Sequence, residues 1–255
     1  MTDPPQDPIW DDYVPKPADE VDPERVDVIA RRFLASSDAG SLSPRRQVLK
    51  DAADATRLLI DRLMASGAPD EVLAEVTADI AAVAERLGAY EKASLYGFSE
   101  TANVGAREQE ALFDYSPLLG LANPLAPPMT ITVAEGRTLS TVNFGLPYEG
   151  PPGCVHGGYL AAAFDELLGA TQSLSGAPGM TGTLTVRYES PTPLQTDLRF
   201  EGRFLGVERR KILVEGTCHA GEVLTCRASG IFISLEPGTF LDLLAEREDR
   251  QKDLR

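Results

Sequence analysis

The chain has 255 residues, 43% of them apolar and 25% charged, which is the composition of a globular protein with room for one large or two modest domains. A net charge of −15 opposes binding to a large polyanion, and three cysteines with two histidines cannot assemble a zinc-finger spacing, so nucleic-acid partners, disulfides and structural zinc are not expected. No apolar run is long enough to cross a bilayer, and the acidic, proline-bearing start is unlike a signal peptide; the expectation is a soluble, cytoplasmic protein.

Most of the acidity lies in residues 1–116, net −11, against net −4 in residues 117–255, and this asymmetry suggests two regions. Residues 1–22 form an acidic, proline-rich arm whose Trp10 and Tyr13 are either surface anchors or incidental aromatics. Residues 23–116 read as a helical region. One helix follows Asp22-Pro23, a second follows Ser43-Pro44, and a third follows Pro69-Asp70 and runs to Leu87-Gly88. Their apolar stripes are packing faces, without a concentration of catalytic residue types.

Near Ala122 the pattern turns to strands. Met129–Val133 and Leu139–Phe144 flank Glu135-Gly136-Arg137 as a hairpin. Val155–Leu174 is a buried helix by length and composition. After Gly179, alternation places Leu184, Val186 and Tyr188 on one face of a strand and Thr181, Thr183, Thr185 and Arg187 on the other. Three more strands are expected at about 197–207, 210–219 and 223–234, and a charged helix over Phe240–Arg255. The order β-β-α-β-β-β-β predicts an α+β fold, a curved antiparallel sheet wrapped around one helix. It spans residues 117–236, with 237–255 as a terminal helix.

Chemistry concentrates in Gly150-Pro151-Pro152-Gly153-Cys154-Val155-His156-Gly157-Gly158, followed by Asp165. Two glycines in a first helical turn are each unfavourable by about 1 kcal/mol relative to alanine, which implies that something approaches the backbone there. A helix start offers unpaired N–H groups and partial positive charge, suited to a developing oxyanion. Asp165 sits among small apolar neighbours, either reaching solvent or held for a purpose. Gly158 and Asp165 are seven positions apart, roughly 10 Å along a helix, so they cannot both touch one carbonyl in one copy. Two such helices antiparallel about a two-fold axis would bring them together, which predicts an isologous dimer with shared sites.

This segment, from Tyr148 through Gly158 with Asp165 and then Met180-Thr181-Gly182-Thr183-Leu184, resembles hotdog-fold acyl-CoA thioesterases of the PaaI type, and among them the Them branch. The similarity spans about residues 120–235. It implies a hotdog fold and hydrolysis of acyl-CoA, with coenzyme A as part of the substrate and no separate cofactor or metal. It assigns Asp165 as general base or nucleophile, Gly158 as the amide that polarises the carbonyl, aided by Gly157, and Thr181 as the residue that assists the Asp or the water. Many relatives carry Asn or Gln about six residues before the motif histidine, where Glu149-Gly150-Pro151 stands here.

The remaining candidates have double readings. His156, a substrate-binding candidate, either makes a structural hydrogen bond near the helix start or titrates in catalysis. Glu166 points away from Asp165 and is expected at the rim. Cys154 is expected to be a small buried thiol, because no His–acid set accompanies it. Arg209-Arg210-Lys211 grips coenzyme A phosphates or forms a solvated turn. The competing functions are a non-catalytic acyl-CoA sensor, reporting through the helical region, and a hotdog hydratase or dehydratase. Expected partners are an acyl-CoA and a second copy of the chain, with tetramers open.

Overall fold

A computed structural model describes residues 42–90, 114–134, 136–176 and 179–234. The expected arm, the helix after Asp22-Pro23 and the Phe240–Arg255 helix lie outside these residues. Two helices come first, α1 at Pro44–Met64 and α2 at Asp70–Gly88, both where the Ser43-Pro44 and Pro69-Asp70 signals place them. Ser43 Oγ accepts from the Arg46 N–H, and Pro44 occupies the first turn, where a missing N–H is harmless.

The strands are β1 (Thr130–Ala134), β2 (Arg137–Asn143), β3 (Gly179–Tyr188), β4 (Asp197–Glu208), β5 (Lys211–Ala220) and β6 (Val223–Ser234). All pair antiparallel, in the order β1-β2-β4-β5-β6-β3. One helix, α3 (Gly157–Gln172), lies across this sheet and buries Leu160, Ala163, Phe164, Leu167 and Leu168 against it. Phe164 meets Phe200 of β4 edge-to-face at 5.1 Å between ring centroids.

Glycine sets how closely α3 approaches. Gly202 of β4 pairs with Gly216 of β5 beneath Thr171 and Leu167, and a Cβ at Gly202 would overlap Thr171 Oγ1 and Thr138 Oγ1. Those two threonine hydroxyls are hydrogen-bonded to each other in the core.

The helix expected over Val155–Leu174 starts two residues later and ends as a 3-10 turn over Ser173–Ser175. Val155 is held in extended pairing, its N–H donating to Thr192 O, and the helix begins only once His156 caps it. No helix among the described residues is long and apolar enough to cross a membrane.

The loop before β1 joins α1 to the sheet domain. Arg46 of α1 forms a bidentate, buried pair with Asp114, at 2.8 and 2.9 Å. Leu118, Leu119 and Met129 of the same loop enter the core.

Candidate active site

The start of α3 is built by short-range constraints. Glu149 Oε1 accepts from the Gly153 N–H at 2.7 Å and folds the Gly150–Gly153 turn, in which Gly153 adopts φ +73°. A Cβ at Gly150 would stand 2.7 Å from His156 Cα, so glycine is required there. The His156 N–H donates to Tyr148 O, and its Nδ1 accepts from the Gly158 N–H at 3.0 Å. The Gly158 amide, expected to be open, is therefore engaged by the cap. The Gly157 N–H, in contrast, has no acceptor among the described residues. Gly157 O accepts from Tyr188 Oη at 2.8 Å, and a Cβ on Gly157 would press on that same hydroxyl at 3.1 Å.

Asp165 lies two turns further along α3 and is exposed. Thr181 Oγ1 donates to Asp165 Oδ1 at 2.7 Å. Simple alternation puts Thr181 on the face opposite Leu184, but the strand does not alternate simply. The register of β3 against β6 slips between Thr181 and Thr183, with Thr181 opposite Phe232 and Thr183 opposite Ile231. The extra residue, Gly182, is a bulge that reverses facing on its N-terminal side. Thr181 thereby joins Leu184 and Val186 on the α3 side of the sheet, beside Asp165.

Gly158 and Asp165 remain separated by the helix rise within one copy, about 10 Å. The turn Arg209-Arg210-Lys211 closes the β4–β5 hairpin, with Arg209 at φ +54° and Arg210 Nη2 donating to Ser234 O. Lys211 is opposite Ile233, which is opposite Met180, so the basic turn lies level with the start of β3, two strands across. That is the Asp165–Thr181 end of the sheet, roughly 10 Å away at ordinary strand spacing.

Glu166 is not a free rim acid. It is half-buried, accepts from Ser116 Oγ at 2.7 Å, and burial pushes its carboxyl above the ordinary range against the opposing pull of that hydrogen bond. Cys154 is half-buried rather than buried, because it lies in the irregular pairing with Pro193 at the loop rim. Burial pushes the Cys218 thiol up to about 12 and raises Cys226 too, which disfavours the nucleophilic thiolate in both. Among the described residues no three His, Cys, Asp or Glu side chains are grouped to hold a metal.

Sequence reasoning passed over the aromatic set beside the motif. Tyr148 and Tyr159 meet edge-to-face at 4.9 Å, and Tyr159 lies 6.3 Å from the His156 ring. Burial raises the Tyr148 phenol to about 12 while its hydroxyl donates to Leu125 O. The available signal was two tyrosines flanking a glycine-rich motif.

Residues 152–227 match the family model described as Thioesterase superfamily. The sheet and α3 have the hotdog fold, and the segment from residue 152 to 227 is similar to the thioesterase superfamily. A solved crystal structure described as a thioesterase superfamily protein is 29% identical, with TM-score 0.62, covering 76% of this chain and 92% of that one. Its likeness therefore extends beyond the family segment. Acyl-coenzyme A thioesterase THEM4 of Mus musculus is 34% identical over 105 residues, 40% of this chain and 45% of that protein. Acyl-coenzyme A thioesterase THEM5 of Homo sapiens is 31% identical over 90 residues, 34% of this chain and 36% of that protein. The chain spans less than half the length of these curated relatives, and the resemblance to hotdog thioesterases near the Them branch is borne out over the hotdog domain.

Proposed function

We propose that the chain hydrolyses acyl-CoA thioesters to a free acid and coenzyme A. The observation that carries this reading is the Thr181–Asp165 hydrogen bond on a thioesterase-superfamily helix whose first turn presents an open amide. The thioester oxygen rests on the Gly157 N–H, joined by Gly158 when His156 Nδ1 releases it, and the helix dipole favours the charge developing there. Asp165, oriented by Thr181, either removes a proton from the attacking water or attacks the carbonyl carbon itself. The C–S bond then breaks, the electron pair leaves on sulfur, and the thiolate takes up a proton to give coenzyme A; on the direct-attack route, water then hydrolyses the acyl–Asp165 anhydride, releasing the acid and restoring the carboxylate. No metal or further cofactor is needed for these steps.

The site is shared between two copies. Helix rise keeps the amide and the carboxylate of one copy apart, and β3 supports pairing because it is a ten-residue edge strand with exposed Met180 and Tyr188. Such an edge leaves a row of unpaired N–H and C=O groups that a second β3 would satisfy. In this arrangement Arg209, Arg210 and Lys211 of the copy that supplies Asp165 face the phosphates of coenzyme A. The reading includes a cytoplasmic homodimer, with association into tetramers open.

Thiol release from an acyl-CoA panel tests the activity, and Asp165→Asn should lower turnover about 100-fold or more. Mixing Asp165→Asn with Gly157→Val subunits tests the sharing. Two inactive variants should regain about a quarter of wild-type turnover through mixed dimers if amide and carboxylate come from different copies. No regain after verified subunit exchange would place the site within one chain. The sensor reading draws support from α2, which buries no residue and exposes Val72, Ile80, Val83 and Leu87. Acyl-CoA binding without thiol release would favour it.

A further inference from the structure

Helix α1 does more than cover the sheet domain. The Arg57 guanidinium donates to the carbonyl oxygens of Gly120, Leu121, Asn123 and Ala126 at 2.7 to 3.2 Å, drawing the loop before β1 onto the helix. Between α1, this loop and the hotdog domain lies a cleft of about 170 Å³. Ile60 and Asp61 of α1 form one wall, Leu125 and Pro128 of the loop another, and Tyr148 and Tyr159 the side toward the motif. Tyr159 is two residues beyond Gly157, and its ring bridges Tyr148 at 4.9 Å and His156 at 6.3 Å. Tyr159 thus lines the cleft and also stands beside the His156 ring that caps α3, at the helix start where the Gly157 amide is open. The basic turn lies instead at the Asp165–Thr181 end of the sheet. The two ends of a thioester seated on Gly157 thus have separate destinations.

We infer that this cleft receives the acyl group of the thioester, and that Ile60, on a helix outside the hotdog domain, sets the largest acyl group that fits. The inference rests on the thioesterase reading. A closed apolar cavity of about 150 Å³ holds one benzene, so the cleft accommodates about one six-carbon ring or a short branched chain. A longer chain would press on the walls that Ile60 and Asp61 form, and the Asp61 carboxylate, whose Oδ1 would stand 3.0 Å from a Cβ at Gly145, disfavours alkyl groups against it.

The test uses the full chain as wild type, Ile60→Ala and Ile60→Phe, in two assays. The first measures kcat/KM by thiol release across linear acyl-CoAs from acetyl to dodecanoyl, with cyclohexanoyl-CoA added. The second measures Kd for the matching S-alkyl-CoA thioethers, which cannot be hydrolysed. Wild type should prefer acyl groups of about six carbons. Ile60→Ala should raise the long-to-short ratio about tenfold and Ile60→Phe lower it about as much, in turnover and in affinity. Hydrolysis with the same chain-length profile in all three proteins would overturn the acyl cleft and leave the thioesterase reading standing. Thioether affinities that follow Ile60 without any hydrolysis would support the cleft and overturn the thioesterase reading. Thioether affinities indifferent to both residue 60 and chain length would overturn the cleft whatever the turnover.

Discussion

Thr181→Val removes one hydroxyl and keeps the shape of the side chain, so it isolates the 2.7 Å hydrogen bond to Asp165 Oδ1. A hydrogen bond to a charged group contributes about 1.5 to 3 kcal/mol when well shielded. Asp165 is exposed in the single chain, so water competes and the lower end applies, about 1.5 kcal/mol, which is roughly tenfold in kcat. KM should change little, because the hydroxyl positions the carboxylate rather than holding the acyl-CoA. Thr181→Ser should keep most of the activity. Asp165→Asn should lose about 100-fold or more, and adding Thr181→Val to it should lose little further, since the threonine acts through the carboxylate. Steady-state thiol release from one acyl-CoA gives all four values. A Thr181→Val enzyme within twofold of wild type, or a double variant in which the two losses multiply, would refute the positioning role.

Three further outcomes test the frame. Gly202→Ala forces a methyl onto Thr171 and Thr138 and should lower stability by about 3 kcal/mol, read as a shift of the urea midpoint. Gly216→Ala, whose new Cβ would meet its neighbours at 3.1 to 3.3 Å, should cost less, and the reverse order would contradict the packing described. Asp114→Ala removes the bidentate Asp114 carboxylate from the buried Arg46 guanidinium and should lower the midpoint in the same measurement, an unchanged midpoint arguing against the docking of α1. Glu166 binds its proton more tightly folded than unfolded, because burial raises its carboxyl above the ordinary 4.5. Its effect on stability thus becomes unfavourable as pH rises from that ordinary value through the raised one. Glu166→Gln should match wild type in Tm near about pH 4 and exceed it increasingly toward pH 7. A gap that is independent of pH would show that the charge is not the cause.

The order of the described elements, the starts of α1 and α2 and the glycine-rich motif before Asp165 were legible in the sequence, because proline, glycine and apolar period act over a few residues. Ser43-Pro44 and Pro69-Asp70 mark where α1 and α2 begin, and β1 and β2 pair as a hairpin with Ala134 opposite Arg137. The resemblance proposed Thr181, but alternation turned that side chain away from the helix. A single bulged residue, Gly182, restores it, and a bulge is set by pairing with β6, fifty residues downstream, not by local composition. Engagement of the Gly158 amide by His156, the burial of Glu166 under Ser116 and the placement of Arg57 against four loop carbonyls are likewise tertiary facts. Each depends on a backbone path or a contact that a local pattern does not encode. So does the cleft at Ile60, which exists only because α1 is clamped across a sheet domain that begins some seventy residues later.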